Sequence, residues 1–263
     1  MEILRKTDRR YYMVVMLIIL IIPVVQPLGI PITVSDYTKE AYNYVEKLPP
    51  GSMVVVIPSV DVALWPEEET YARTLFWHLA RRPLKWAVVH FGADAPLLSK
   101  TAVDYVNIEK NFPDKKYGRD YVFLGYMAGG EAGYVAFCRN VHAQFETDYF
   151  GTSIKQLPIM QELRDSSDID CLVFITGGDA PMPIRVFVTT FKLPMIAAPT
   201  IGWMPTFIPY YKAGQIIGLV AGVRGGAEYE LLTGRPGSGL AITDALSLSF
   251  LYTILLIVLG NID

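Results

Sequence analysis

Long uncharged stretches at the two ends of the chain dominate its pattern of apolar and polar positions. Residues 11–33 carry no charged side chain, and residues 240–260 carry only Asp244. A run of about 20 apolar residues is long enough, as a helix rising about 1.5 Å per residue, to cross about 30 Å of hydrocarbon. Each end is therefore predicted to form a transmembrane helix, and Pro23 is a kink that such a helix tolerates.

Basic residues in the N-terminal tail, residues 1–10, set the expected orientation of the first helix. Arg5, Lys6, Arg9 and Arg10 lie there, and positive flanks are retained on the cytoplasmic side. We therefore expect the tail in the cytoplasm and the middle of the chain outside the cell membrane. The competing interpretation is a cleaved signal peptide, but the apolar stretch is long and lacks an A-x-A cleavage site.

Asp244 is the one charged residue in the second stretch, and it has two interpretations. It can begin the helix at the membrane interface, where its charge complements the helix dipole. It can instead make a polar contact inside a helix bundle.

Between the two ends, short runs of β-branched and aromatic residues alternate with segments of helical pattern. The predicted strands are 53–58, 86–91, 121–126, 171–176 and 194–198, and the predicted helices are 67–82, 96–110, 130–144, 153–164 and 181–191. Strands that are apolar at nearly every position suit a parallel sheet covered on both faces, and parallel strands need crossover helices. Residues 34–200 are predicted to form an α/β domain with a Rossmann-like, doubly wound and mostly parallel sheet.

Four of the predicted strands are followed by a carboxylate close to an alanine. These carboxylates are Asp61, Asp94, Glu131 and Asp179, and glycine pairs precede the last two, Gly129 with Gly130 and Gly177 with Gly178. In an open parallel sheet the strand exits share one edge, where ligands bind. Glycine lets the backbone approach a bound molecule, and carboxylates accept hydrogen bonds from hydroxyl or amine groups. This row is a candidate site for a small polar ligand such as a polyol, a sugar, an amine or a cation.

Helix capping is the alternative role of these carboxylates. An acidic residue at a helix start accepts hydrogen bonds from free amides and complements the dipole. Asp94 and Asp179 are each followed by Ala-Pro, which puts proline in the first turn, where it is favoured. The sequence therefore favours capping at these two positions and leaves both roles open for Asp61 and Glu131.

Residues 201–235 contain glycines at a strict interval of four: Gly214, Gly218, Gly222 and Gly226. On a helix this interval places all four close to one face, which lets another backbone approach closely. The segment is predicted to form an apolar packing helix at the membrane interface. The glycine face is expected to contact another subunit or the membrane spans or, as the alternative, the sheet of its own domain. A third membrane crossing over 201–223 is less favoured, because two prolines and a lysine interrupt it.

Composition excludes several classes of partner. A net charge of −3 with no basic cluster outside the N-terminal tail argues against nucleic acid. A hydrophobic fraction of 52% exceeds the norm for soluble domains and favours contact with lipid. Cys138 and Cys171 are the only cysteines, too few for a thiolate metal site; a single disulfide stays open if the domain lies outside.

Sequence motifs of catalysis and nucleotide binding are missing, so neither a cofactor nor a metal is expected. No GxSxG, HExxH, GxGxxG or GxxxxGK[ST] pattern occurs. Of the three histidines, His78, His90 and His142, only His90 ends a predicted strand shortly before a carboxylate, as a general base would require. No nucleophile accompanies it in the sequence, so an enzyme is the less favoured class.

The expected function is a non-catalytic α/β subunit of an oligomeric membrane complex, with a structural or ligand-sensing role. Its expected partners are the lipid bilayer and either further copies of this chain or other membrane subunits. The alternative is a membrane-bound solute-binding receptor, or an enzyme, that uses the crevice at the carboxyl ends of the strands.

Overall fold

The computed structural model describes residues 8–261, and its centre is a six-stranded parallel sheet. The strands are β1 Met53–Ser59, β2 Lys85–His90, β3 Tyr121–Tyr126, β4 Cys171–Thr176, β5 Met195–Pro199 and β6 Gly218–Leu219. Their order in the sheet is β3-β2-β1-β4-β5-β6. This is the order of doubly wound sheets, in which the chain winds outward in both directions from a switch point between β1 and β4.

Helices flank the sheet and extend beyond it at both ends of the chain. The α-helices are α1 Arg9–Val25, α2 Asp36–Lys47, α3 Trp65–Arg81, α4 Ala95–Val106, α5 Ile108–Asn111, α6 Gly130–Arg139, α7 Pro181–Pro183, α8 Met204–Lys212, α9 Gly222–Thr233 and α10 Ser238–Asn261. A π-helix, Ile184–Thr190, continues α7, and 3₁₀ turns lie at Ile154–Gln156, Pro158–Gln161 and Ser166–Asp168.

Alternate side chains of the central strand enter two separate apolar cores. Val55 and Ile57 of β1 pack on the side that carries α6, the π-helix and α8. Val54 and Val56 pack on the side that carries α2, α3, α4 and α9. Because helices cover both faces, β1 is apolar at almost every position, as in other buried parallel strands.

The predicted α/β architecture with a parallel sheet is confirmed, with two local corrections. The predicted helix 153–164 is wrong: the segment forms short 3₁₀ turns, and Pro158 in its middle cannot donate the hydrogen bond that a continuous α-helix needs. The sheet also extends past residue 200, the predicted end of the domain, because β6 pairs with β5 and α9 packs on α3.

The predicted glycine-spaced helix over 201–235 is wrong. The four glycines do not share one helix: Gly214 follows α8, Gly218 is in β6, and Gly222 and Gly226 are the first and fifth residues of α9. Gly214 and Gly222 have φ of +69° and +65°, a left-handed conformation that interrupts a helix and that glycine adopts at low cost.

The sequence also predicts that these glycines let another backbone approach closely. Such close contacts do occur, and they lie within this chain. A Cβ at Gly218 would lie 2.5 Å from the Tyr37 carbonyl oxygen and 2.6 Å from the Ala41 nitrogen of α2. A Cβ at Gly226 would lie 3.0 Å from Thr70 Oγ1 of α3. These glycines therefore pack helices against their own domain, which was the alternative to subunit contact. Whether the chain also assembles with others stays a prediction.

The terminal helices α1 and α10 form an antiparallel pair, here called the terminal hairpin. Near its far end, the Tyr252 hydroxyl of α10 donates to the Tyr12 carbonyl of α1 at 3.3 Å. The helix predicted over 11–33 ends at Val25, and residues 26–35 have no regular structure. Among residues 8–261, α10 is the one helix long and apolar enough to cross a membrane; α1, with 17 residues, is not. Arg5 and Lys6 of the basic tail lie outside the described residues.

Asp244 fastens the linker between α1 and α2 to α10. Its side chain is 1% exposed and accepts hydrogen bonds from the backbone N–H groups of Leu28, Gly29 and Ile30 at 2.8, 2.9 and 3.1 Å. Asp244 therefore does not begin the helix, and its polar contact is with a linker that packs on α10 and not with another helix of a bundle.

Two buried glutamates of α9 complete the attachment of the hairpin. Glu230 accepts from the backbone nitrogens of Gly239 and Leu240 at 2.9 and 2.8 Å, and so satisfies free N–H groups at the start of α10. Glu228 accepts from the backbone nitrogen and the hydroxyl of Ser35 at 3.0 and 2.9 Å. The start of α10 and the residue just before α2 are thus both held to α9.

We predict that Gly218→Ala destabilises the fold while Gly202→Ala does not. The new methyl group at 218 overlaps the backbone of α2, and overpacking of this kind costs about 1–3 kcal/mol. Gly202 has open space around its Cβ position, so its change should stay within about 0.5 kcal/mol. Chemical unfolding of the detergent-solubilised variants measures both. Equal stability of the two variants would contradict the close contact between β6 and α2.

Candidate functional site

The four carboxylates predicted to form a row lie on one edge of the sheet. All strands are parallel, so every strand exit is at the same, carboxyl edge. The order β3-β2-β1-β4 places the exits that carry Glu131, Asp94, Asp61 and Asp179 side by side. The sequence pattern therefore corresponds to a real row along neighbouring strands.

Most of these carboxylates are already engaged within the chain. Asp61 accepts from the backbone nitrogens of Ala63 and Leu64 at 2.8 and 3.1 Å and closes the turn before α3. Glu131 forms a two-bond ion pair with Arg185 at 3.0 and 2.6 Å. The row is therefore not a shared cage, and no cluster of three metal-ligating side chains occurs between residues 8 and 261.

The two remaining carboxylates were predicted to cap helices, and Asp94 does not. Asp94 is exposed at the start of α4 and makes no capping hydrogen bond with its side chain. Asp179, also exposed, accepts only from the nitrogen of the next residue, Ala180, at 2.8 Å. All four carboxylates of the row are exposed, and Asp94 and Asp179 are the two that are engaged neither in an ion pair nor in a turn of two backbone hydrogen bonds.

The glycines beside the carboxylate row have structural roles: they allow a tight turn or a close contact between elements. Gly129 and Gly130 have φ of +117° and +51° in the turn that enters α6, a conformation that other residues adopt only with strain. At Gly177 a Cβ would collide with the side chain of Leu64 and come within 3.2 Å of Glu68 Oε1. Gly177 therefore lets the exit of β4 close onto the first turn of α3. Gly178 donates its N–H to Thr176 Oγ1 at 2.9 Å.

Glu68, which the sequence did not single out, is the most unusual group at this edge. It lies in the first turn of α3 and has no exposed surface. Neither of its carboxyl oxygens has a hydrogen-bond partner. Because α3 follows β1 and Gly177 follows β4, Glu68 stands at the switch point, where doubly wound sheets bind their ligands.

Burial keeps Glu68 protonated near neutral pH. Desolvation raises the pKa of its carboxyl to about 8, and the negative charges of Asp61 and Glu67 act in the same direction. A neutral carboxylic acid offers one hydrogen-bond donor and an acceptor. The hydroxyl of Tyr71, one turn along α3, is also buried without a partner. Each unpaired buried group costs about 1–3 kcal/mol, so a molecule that pairs with them gains that energy.

Glu67, by contrast, has a structural contact across the sheet edge. Its Oε1 accepts from the backbone nitrogen of Ile201 at 2.6 Å and lies 3.1 Å from the Cβ position of Gly222. The first turn of α3 is thereby fixed against the loops that follow β5 and β6. Glu68 is held in place by this contact, because it is the next residue on the same turn.

His90 has a partner that the sequence did not reveal. Its Nε2 lies 2.5 Å from Ser99 Oγ, and its Nδ1 lies 3.1 Å from the Gly125 carbonyl oxygen. A carbonyl only accepts, so Nδ1 carries the hydrogen and Nε2 accepts from the serine hydroxyl. Burial lowers the pKa of His90 to about 4, which leaves the ring neutral.

The Ser99–His90 pair has the spacing of a nucleophile with its base, but it is enclosed. His90 is 0% exposed and Ser99 1% exposed beneath the start of α4. A substrate reaches this hydroxyl only if α4 moves. The pair therefore ties β2, β3 and α4 together and gives no support to hydrolase chemistry in this conformation.

The other two histidines and the cysteines are structural. His78 bridges the Tyr229 hydroxyl at 2.7 Å and Glu46 Oε1 at 2.9 Å, and burial lowers its pKa to about 4. His142 Nε2 lies 2.7 Å from the Met160 carbonyl oxygen. Cys138 and Cys171 are free and buried in the two different cores, so the disulfide left open by the sequence does not form.

Comparison of the chain with protein-family models, with curated proteins and with solved structures found no match. Its function is therefore inferred from its own geometry. Three features carry that inference: the switch point with the unpaired Glu68, the enclosed Ser99–His90 pair, and the exposed apolar hairpin.

We predict that Glu68→Gln stabilises the protein increasingly as pH rises. Between pH about 4.5 and 8 the unfolded carboxyl ionises while the buried one keeps its proton, so wild-type stability falls through this window. Glutamine removes this dependence. The stability difference between variant and wild type should grow by about 1.4 kcal/mol per pH unit and level off above pH 8.

Chemical unfolding of both proteins across that pH range measures this difference. The matched control is Glu69→Gln on the same helix, whose carboxylate pairs with Arg73 at 2.6 Å and should show no such growth. A flat difference for Glu68→Gln would mean that Glu68 is ionised in the folded protein.

We predict that Ser99→Ala costs about 1–3 kcal/mol of stability, because it leaves His90 Nε2 buried without a donor. Thr101→Ala, on the same helix, removes an exposed hydroxyl that donates to the Leu98 carbonyl and should change stability by less than about 0.5 kcal/mol. Thermal unfolding compares them. Labelling of Ser99 in the native protein by a fluorophosphonate would contradict the enclosed arrangement.

Proposed function

We propose that the protein is a membrane-anchored α/β subunit, in which the terminal hairpin holds a non-catalytic, ligand-sensing domain at the bilayer. The observation that carries this proposal is the apolar surface of the hairpin. Large apolar side chains project outward along both helices, among them Met13 at 71%, Leu17 at 58%, Phe250 at 65%, Leu251 at 63% and Ile254 at 57% exposure. A continuous apolar surface of this extent marks a membrane or protein contact.

The apolar parts of the two helices also have similar axial lengths. The 17 residues of α1 span about 26 Å at 1.5 Å per residue. Residues 246–261 of α10, which follow its buried first turns, span about 24 Å. Both fall a few ångströms short of a bilayer core of about 30 Å, a mismatch that local thinning absorbs at modest cost. Although α1 is too short to count as a span by length alone, we propose that it crosses beside α10 where the bilayer is locally thinner, so that the hairpin makes two crossings.

The proposed orientation follows from charge. Arg9 and Arg10 stand at the start of α1, which supports a cytoplasmic N-terminus. Because α1 and α10 are antiparallel, the end of α10 lies on the same side. The α/β domain is then on the opposite, extracytoplasmic side of the cell membrane.

Ligand sensing is the proposed role of the switch point. Glu68 and Tyr71 are buried polar groups without partners, and the one Ser–His pair is enclosed. A neutral acid favours a small polar molecule that both donates and accepts, such as a hydroxyl or amide compound, over a cation. Glu68 and Tyr71 are as fully buried as the Ser99–His90 pair, so a ligand reaches them only if this edge of the sheet opens. The support for sensing is their unpaired polar atoms.

Assembly with further copies of this chain, or with other membrane subunits, is part of the same proposal. Its basis is the outward face of the terminal hairpin, since Gly218, Gly222 and Gly226 pack within the domain.

We predict that Ile254→Arg reduces the fraction of protein retained in membranes, whereas Leu231→Arg does not. Ile254 lies midway along the free part of α10, where an arginine in the bilayer costs about 2.5–3.5 kcal/mol. Leu231 is 44% exposed on α9, outside the hairpin. Retention after an alkaline carbonate wash of cell membranes measures the effect.

Wild-type protein and Leu231→Arg should stay in the pellet, and Ile254→Arg should move to the supernatant or fail to accumulate. If wild-type protein itself is released by the wash, the anchoring proposal is wrong. Equal retention of the two arginine variants would likewise exclude α10 from the hydrocarbon.

A further inference from the structure

Exposed apolar side chains on the α/β domain are concentrated at the carboxyl edge of the sheet. Each exit from β1 to β5 contributes at least one of them: Val62, Leu97, Tyr126, Met182, Ile201 and Trp203. Val62 and Leu97 are each 64% exposed. Fewer lie elsewhere on the domain: Tyr149 and Phe150, in the connection from α6 to β4, are 38% and 53% exposed, and Tyr105, in the last turn of α4, is 49% exposed. The carboxyl edge therefore carries most, but not all, of the exposed apolar side chains of the domain.

Charge divides the two edges in the same way. The exit segments 60–64, 91–97, 127–132, 177–182 and 200–204 contain no lysine or arginine, and the first four each contain a carboxylate. Arg185, which pairs with Glu131, is a nearby exposed cation. The amino edge is rich in charge, with Arg82, Lys85, Lys116, Arg119 and Lys192 before or between its strands. The charged side chains of the amino edge are therefore expected to face the aqueous phase.

The terminal hairpin leaves the domain toward the apolar edge. Helix α3 follows β1, so it runs from the carboxyl edge to the amino edge. Arg81 at its end donates to the Thr233 carbonyl, Arg235 stacks over Trp77 at 3.4 Å, and Ser238 shares a cleft with Arg73. The chain after α9 therefore turns back along α3, and α10 continues toward the carboxyl edge.

The linker from α1 enters at the same edge. Thr38, in the first turn of α2, donates to the carbonyl of Leu219, the last residue of β6, at 3.2 Å. Ser35 is bound by Glu228 of α9, and residues 28–30 are bound by Asp244 of α10. Both connections to the hairpin thus lie beside the carboxyl end of β6.

We infer that the carboxyl edge of the sheet rests on the bilayer surface, with the apolar loops after β1 to β5 set among the lipid headgroups. This inference rests on the proposed membrane anchor, because the hairpin brings that edge to the bilayer. The surface that suits the edge is zwitterionic, since exposed Asp94 and Asp179 would be repelled by anionic lipid. A ligand of Glu68 then reaches the switch point through the headgroup layer.

Site-directed spin labelling in phosphatidylcholine vesicles tests the inference. Both native cysteines are buried, so single surface cysteines can be labelled selectively. Nitroxides at Val62→Cys, Leu97→Cys and Ile201→Cys probe the edge, Lys116→Cys is the control at the amino edge, and Ile254→Cys reports on the hairpin. The ratio of accessibility to oxygen over accessibility to a nickel chelate increases with depth in lipid.

We expect ratios at the three edge positions that are several-fold above that of Lys116→Cys and below that of Ile254→Cys. If Ile254→Cys is deep in lipid but the edge positions match Lys116→Cys, the inference is overturned and the anchor stands. If Ile254→Cys also matches Lys116→Cys, the anchor is wrong, and the inference fails with it.

Discussion

Buried carboxylates that accept backbone N–H groups are the constraint on which the rest of this structure depends. Asp244, Glu228 and Glu230 together bind the linker before α2, Ser35, and the start of α10. The bound segments have no regular structure of their own or begin a helix, so their N–H groups would otherwise be unpaired in a packed environment. Two apolar helices are thereby fixed to an α/β domain without a long tether.

Small residues make that attachment sterically possible. A Cβ at Gly239 would lie 2.8 Å from the Ala227 nitrogen, and one at Gly237 would lie 2.5 Å from Glu230 Oε1. The start of α10 can therefore reach α9 and its carboxylate only because both positions lack side chains. The glycine-rich region around residue 230 resembles, in sequence, a contact between membrane helices, because both situations require backbones at close range. In this chain the close contact lies within one molecule.

The sequence predicted those features that depend on local pattern and missed those that depend on tertiary neighbours. Uniformly apolar strands such as Met53–Ser59 predict a covered parallel sheet, and parallel exits must share an edge. The partner of Glu131, Arg185, is 54 residues away along the chain, so local pattern could not reveal it. The four-residue interval between glycines is typical of one face of a helix, but here the glycines belong to a loop, a strand and a helix. Glu68 carried an unused signal: it lies three residues after Trp65 and four before Ala72, on the buried face of α3. A carboxyl group on the apolar face of a helix becomes buried when the helix packs, and burial raises its pKa and favours its neutral form.

The acidic row and an approach to lipid are compatible because part of the charge at this edge is neutralised. Glu131 is paired with Arg185, and Glu68, beside the row, holds its proton near pH 7. Asp61, Asp94 and Asp179, which have no cationic partner among residues 8–261, stand against six exposed apolar side chains. Full burial of one large apolar side chain contributes about 1.5–3 kcal/mol, so partial insertion of several outweighs the desolvation of carboxylates that stay at headgroup level. The carboxyl edge of the sheet, which encloses the switch point, is therefore also the edge whose transfer from water to the headgroup layer is most favourable.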